Sequence, residues 1–373
     1  MFNALLGFPY LWAVANSLPL DQFGKYSLIA SLVVVVGRIT DFGTNSTFVT
    51  NSILEKTNES TFIYTKLILT LVAVLVGVLV LVLLNLATPL LILIFSGGIL
   101  AYSLNYTLYA FYQKKEFYTY LVLLYTIPAL LKALGALLLY IGVLAPSVEI
   151  TSAIFCLSIF SGAFLLFTKN PLKNLKIKLD KGTLKLLQNS WPAGVSQTIN
   201  EVWSALSNSI AKIIQGFSDV GVFALANKVS VVFSLLSLSI FSVLLPQNAK
   251  RKKQELKYSF DEAALLTMLV LVIGVLGIIG SRIVISNFFG PEFEQSLDLL
   301  NILVFAAALT SITRFMENYF FIHENTSRIL AINVSKLGVF LVSVAILAPR
   351  FQLKGLLYVQ LIAAFVSVFI TLG

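Results

Sequence analysis

The chain has 373 residues, 58% of them hydrophobic and only 12% charged, with a formal net charge of +9. A soluble domain carries roughly 25% charged residues, so a soluble enzyme or binding module is excluded and a polytopic membrane protein is indicated. The basic excess sits between apolar runs, which fits membrane topology and argues against nucleic acid as a partner.

The single cysteine, Cys156, and the single histidine, His323, leave no material for a disulfide framework or a histidine or thiolate metal site, and nothing calls for a cofactor. The first 18 residues lack the basic n-region of a cleaved signal and read as a short, retained first span, about 3–18. Span 2 covers 23–40 and carries Arg38 near its far end. Asp41-Phe42-Gly43 follows, with Asp41 placed to cap or end the span, and a polar stretch reaches Lys66. Between Lys66 and Lys114 lie 47 residues without a formal charge, too many for one helix at about 1.5 Å per residue. Asn85 to Pro89 divides them into spans 3 and 4. Span 5 covers 118–142, with Pro128 and Lys132 inside it, and span 6 covers 148–168.

Residues 169–185 then hold six lysines (Lys169, Lys173, Lys176, Lys178, Lys181, Lys185) against one acid, Asp180. Beyond them the rhythm repeats: span 7 at 191–214, span 8 at 220–245, the basic run from Lys250 to Lys253, then spans 9 to 12 at 263–284, 293–321, 329–347 and 355–373. The expected fold is all-α and polytopic, about twelve transmembrane helices in two six-helix bundles, 1–168 and 186–373. The lysine-rich stretch is the cytoplasmic linker between them. Its Leu172, Leu175 and Leu179 follow helical spacing, which lays it on anionic lipid of the inner leaflet at about 1 kcal/mol per lysine.

With the N-terminus inside, the inner loops hold 17 Lys and Arg residues, Lys66, Arg314 and Arg328 among them. The outer segments hold five: Lys25, Lys212, Arg282, Arg350 and Lys354. Positive residues gather on the cytoplasmic side, so the bias fixes the orientation.

Four cations remain, Arg38, Lys132, Lys228 and Lys336, on spans 2, 5, 8 and 11. A cation inside a span costs at least about 2.5 to 3.5 kcal/mol on insertion scales and normally faces the bundle interior or water. Their spans differ by six. The segment Phe23 to Ala30 echoes Val220 to Asn227, and Gly135 and Pro146 share one offset with Gly338 and Pro349. An even separation makes the repeat parallel, about an axis along the membrane normal. Arg38 is near enough to the inner end to snorkel to the interface. Lys132 and Lys228 lie deeper and are candidates to line a cavity, with Lys336 intermediate.

Glu201, preceded by Asn200, is the deepest acid and is open to two readings: a structural partner of Lys228, or a coupling-ion site. Arg314 and Glu317, three residues apart, form either a local ion pair or a gating pair. Ser190, Ser196, Gln197, Asn200, Ser204, Ser207 and Asn208 make span 7 the most polar helix and favour an aqueous path along it. No phosphate loop, metal pattern or nucleophile elbow is present. Glu292 and Glu294 lie in a short turn.

The Phe-Gly-Lys-Tyr-Ser-Leu segment opening span 2, Asp41-Phe42-Gly43 closing it, Val220 to Lys228 opening span 8 and Phe289-Gly290-Pro291-Glu292-Phe293 before span 10 resemble the polysaccharide biosynthesis flippases of the multidrug, oligosaccharidyl-lipid and polysaccharide exporter superfamily. The resemblance implies two bundles around a V-shaped, alternating-access cavity. It also implies, as cargo, an undecaprenyl-diphosphate-linked O-antigen or related glycan, with Lys132, Lys228, Lys336 and Arg38 attracting its diphosphate. A polysaccharide polymerase and a chain-length regulator are the protein partners it suggests, and the bacterial cytoplasmic membrane the location. The short first span and the apolar ending at Gly373 depart from the family pattern, and twelve spans rather than fourteen argue against the lipid II branch. The alternatives are a multidrug exporter of the same superfamily and a membrane glycan polymerase or transferase. An organic-cation exporter wants a buried acid, and a polymerase wants a large outer loop.

Overall fold

The computed structural model describes residues 2–53, 59–173, 182–230, 260–322 and 326–372. Among these residues all regular structure is helical, and seven helices are long and apolar enough to cross a membrane. Linker residues 174–181, the basic run 250–253, most of span 8 and His323 lie outside the described residues. The chain divides into two compact units, Phe2–Ser209 and Ile210–Gly373.

The first unit contains α1 (Phe2–Ser17), α2 (Leu20–Ile39), α3 (Thr44–Ile53), α4 (Glu59–Leu83), α5 (Pro89–Lys114), α6 (Tyr118–Tyr140), α7 (Val148–Phe160) and the short α8 (Leu165–Thr168). It also takes most of α9 (Gly182–Ile214). The boundaries follow local chemistry. Thr88 caps α5 by accepting from the Leu91 N–H, with Pro89 in the first turn, where its missing donor costs nothing. Ser147 caps α7 through the Ile150 N–H at 3.1 Å. The α5–α6 corner is a Schellman turn. Glu116 is left-handed (φ 57), its N–H donates to the Gln113 carbonyl, and the Phe117 N–H reaches back to the Tyr112 carbonyl at 2.8 Å. Within this unit α1 packs on α6, α5 on α7, and α2 on both α4 and α5.

The α5–α7 contact depends on Gly98, where a β-carbon would fall on Cys156 and Val33. Gly135 plays the same part on α6, against Ile154. Its sequence counterpart Gly338 faces open space, so that echo between the halves does not carry a shared packing role.

The second unit contains a helix over 217–230 (α10), α11 (Phe260–Phe288), α12 (Gln295–Ile322) and α13 (Thr326–Leu372). α12 packs on both α11 and α13. The helical run of α13 is broken at Gln352 (φ 53, ψ −130), which separates the two segments read from the sequence as spans 11 and 12. The side chain of Gln215 clasps this corner: its Nε2 donates to Gln352 Oε1 at 3.0 Å and its Oε1 accepts from the Leu353 N–H at 3.2 Å.

Candidate functional site

The site is built from two helix faces in the first unit. On α5, Tyr102, Asn105, Tyr106 and Tyr109 recur at helical spacing and form one stripe. On α6, Tyr125, Pro128 and Lys132 line up in the same way, and α2 contributes Arg38. Together they line a cavity of about 450 Å³, within the ordinary range for a small-molecule site. Gly37 sets the edge of this cavity, because a β-carbon there would lie 2.8 Å from the Tyr102 ring. Without one, the ring lies against the α2 backbone beside Arg38. Asn105 is fixed from behind: its Nδ2 donates to the Ile159 carbonyl at 2.8 Å, next to the 3-10 turn Ser161–Phe164, and Gly162 leaves room for its Oδ1.

Lys132 is half-buried in α6, with its Nζ 4.2 Å from the centre of the Phe155 ring. Among the described residues no carboxylate pairs with it. A cation held only by an aromatic face keeps its charge available to an anion in the cavity.

Arg38 is held differently. Its Nη1 is 3.7 Å from Asp41 Oδ2, and its guanidinium lies 5.1 Å from the centre of the Tyr106 ring. Asp41 begins the left-handed pair Phe42 (φ 41) and Gly43 (φ 73) and caps α3 by accepting from the Asn45 N–H at 3.0 Å. Its other cation is Lys66. Sequence reasoning placed Lys66 in an inner loop and counted it toward orientation. The structure corrects this: Lys66 is buried within α4, 2% exposed, with Nζ 3.3 Å from Asp41 Oδ1 and 3.0 Å from the Thr40 carbonyl. Residues Thr44–Ile53 of the polar stretch after span 2 are themselves helical (α3), and α4 starts at Glu59, before Lys66.

Of the four cations that the sequence places inside spans, Arg38 and Lys132 share one cavity. Lys228 on α10 and Lys336 on α13 are half-buried in the second unit. Asn200 and Glu201 fall on α9, and Arg314 and Glu317 on α12; the side chains of all four lie outside the described residues. The aqueous path expected along span 7 needs correction where side chains are described. Ser190, Ser207 and Asn208 are buried, and Asn208 donates to Ser31 of α2 at 3.2 Å. Ser190 donates to the Leu186 carbonyl of its own helix, whereas Asn208 fastens α9 to α2, as a polar group in an apolar bundle does when a neighbouring helix satisfies it. Sequence reasoning missed the tyrosine stripe of α5, whose i, i+3, i+4, i+7 spacing was legible in an apolar span.

The described residues form an all-helical fold with a cationic, tyrosine-lined cavity, and that fold resembles those of several solved transporters. One is the lipid II flippase MurJ in an inward closed conformation, at 14% identity and a TM-score of 0.80, covering 100% of this chain and 85% of that one. Another is an inward-facing multidrug resistance MATE family transporter of the MOP superfamily, at 13% identity and a TM-score of 0.69, covering 98% and 93%. An outward-facing MATE family transporter aligns at 14% identity and a TM-score of 0.58, covering 99% and 92%. No curated protein matches the chain by sequence. The family model described as polysaccharide biosynthesis protein matches residues 1–251. The chain belongs to that family.

Proposed function

We propose that the protein is a flippase that moves a polyprenyl-diphosphate-linked oligosaccharide, an O-antigen or related surface-glycan unit, from the inner to the outer leaflet of the bacterial cytoplasmic membrane. The observation that carries this reading is the convergence of Arg38 and Lys132, from α2 and α6, on one tyrosine-lined cavity. Two cations at a membrane-embedded site suit a diphosphate. Arg offers a planar fork of donors to phosphate oxygens, and Lys a mobile point charge. Tyrosines present flat apolar faces with polar tips, which suits sugar rings. Family membership supports a glycan-related cargo. The polyprenyl chain stays in the lipid, while the headgroup takes the polar route.

The same charges disfavour the exporter of organic cations, which would meet repulsion at both residues. Complementation tests the reading. In a strain lacking its own O-unit flippase and making the cognate glycan, the gene restores surface glycan. Restored drug resistance with no surface glycan across several glycans would overturn it in favour of a multidrug exporter.

A further inference from the structure

We infer that the corner formed by residues 115–118 and 169–173 binds the phosphate headgroup of an anionic phospholipid at the membrane surface. It is separate from the cavity, which neither segment lines, and it stands whatever the cavity carries.

The two segments begin where the candidate spans stop. α5 ends at Lys114, α6 starts at Tyr118, and the span begun by α7 ends at Thr168. Lys115 and Lys169 therefore follow directly on apolar helices, at the level of lipid headgroups. Tyr112 ties the segments together: its carbonyl accepts from the Phe117 N–H at 2.8 Å, and its hydroxyl donates to the Lys169 carbonyl at 2.9 Å. The Lys169 ammonium lies 4.5 Å from the centre of the Phe117 ring, two residues from Lys115. The chain then stays against the helices. Asn170 Oδ1 accepts from the Leu172 N–H at 2.8 Å, and Pro171 is buried. Leu172, expected on lipid, instead packs against the cluster of Leu108, Tyr112 and Leu165 and against that of Phe111 and Leu186. Lys173 beside it is left exposed.

Lys115, Lys169 and Lys173 are all exposed, and among the described residues no carboxylate pairs with any of them. Glu59 is taken by Lys114 at 2.7 Å, and the exposed Glu116 offsets only part of the charge. An ammonium resting on an aromatic face keeps donors for a second partner. Tyr118 and Phe167 stay exposed at the same span ends, 64% and 88%, where an apolar side chain meets acyl chains and a tyrosine tip meets headgroups. Fixed lysines beside such residues match both parts of a phospholipid, and anionic lipid is drawn to them. A soluble phosphate would use only the charge.

The test uses the purified full-length protein in detergent, with dioctanoyl phosphatidylglycerol as probe. Dioctanoyl phosphatidylcholine and inorganic phosphate are compared at matched ionic strength, and binding is read from the unfolding midpoint. Phosphatidylglycerol raises the midpoint saturably. A lysine near the surface contributes about fivefold to anionic-lipid affinity. Lys169→Gln therefore binds about fivefold more weakly, and the triple variant Lys115→Gln, Lys169→Gln, Lys173→Gln about a hundredfold. Replacing the three by arginine preserves binding. The variant Arg282→Gln, Arg350→Gln, Lys354→Gln removes the same charge from exposed positions elsewhere and stays within about threefold of wild type. Lys169→Gln alone decides the case if the triple variant does not fold. A three-lysine variant that binds as wild type overturns the inference, as does an equal loss in the charge-matched variant. So does a response to phosphatidylcholine equal to that of phosphatidylglycerol, which would mean acyl-chain contact alone, or an equal response to inorganic phosphate, which would mean a soluble anion. Absence of any phosphatidylglycerol response in the wild type overturns it as well.

Discussion

Arg38, at the end of α2, and Lys132, in the interior of α6, open onto the same cavity although 94 positions separate them in the chain. Neutralising either removes a contact of the charge-assisted kind, about 1.5 to 3 kcal/mol. Lys132→Gln and Arg38→Gln should each lower pyrophosphate affinity by about tenfold to a hundredfold. Surface glycan export should fall at unchanged protein level, read by immunoblot of membranes alongside glycan staining.

The contact between Gly37 and Tyr102 predicts a steric effect on the same cavity. Gly37→Ala drives a methyl into the Tyr102 ring and should destabilise the protein by about 1 to 3 kcal/mol, the cost of overpacking. Gly97→Ala, where a β-carbon meets nothing within 4 Å, is the control and should stay within about 0.5 kcal/mol of wild type. Detergent-solubilised thermal unfolding separates the two.

The Asn208 to Ser31 hydrogen bond fastens α9 to α2. Interhelical hydrogen bonds in membranes average about 0.6 kcal/mol, with a ceiling near 1.7. A double-mutant cycle of Asn208→Ala and Ser31→Ala should return a coupling energy of that size, and a coupling near zero would show that the contact contributes nothing.

Glu116 occupies a left-handed position that glycine fills without steric cost (φ 57). Glu116→Gly should stabilise the α5–α6 corner by about 0.5 to 1 kcal/mol, seen as a raised unfolding midpoint with pyrophosphate binding unchanged.

Much of the fold was legible before the structure, because span length and turn chemistry are local properties. The division of the uncharged run at Asn85 to Pro89 matches the gap between α4, ending at Leu83, and α5, starting at Pro89. The segment read as span 6 coincides with the candidate span Val148–Thr168. Arg38 and Lys132 stood out because a cation in an apolar helix requires an explanation. Lys66 did not stand out, since eight residues into α4 it sits beside a polar stretch and looks like a loop lysine. Only Asp41, brought to 3.3 Å by the α2–α4 packing, reveals its burial. Asn208 of span 7, read as part of an aqueous path, is in fact bonded to a neighbouring helix. Sequence shows that a serine or asparagine is in a span but not whether a neighbour such as Ser31 satisfies it. The tyrosine stripe was hidden because aromatics in an apolar helix usually mean packing, and only the cavity distinguishes the two uses.

The most direct test of the central claim is a transbilayer assay in proteoliposomes carrying a fluorescent, short-chain polyprenyl-diphosphate-linked glycan. Wild-type protein should move the glycan to the far leaflet, and Lys132→Gln should fall to the rate of protein-free liposomes. A Lys132→Gln variant that translocates as fast as the wild type would contradict the account.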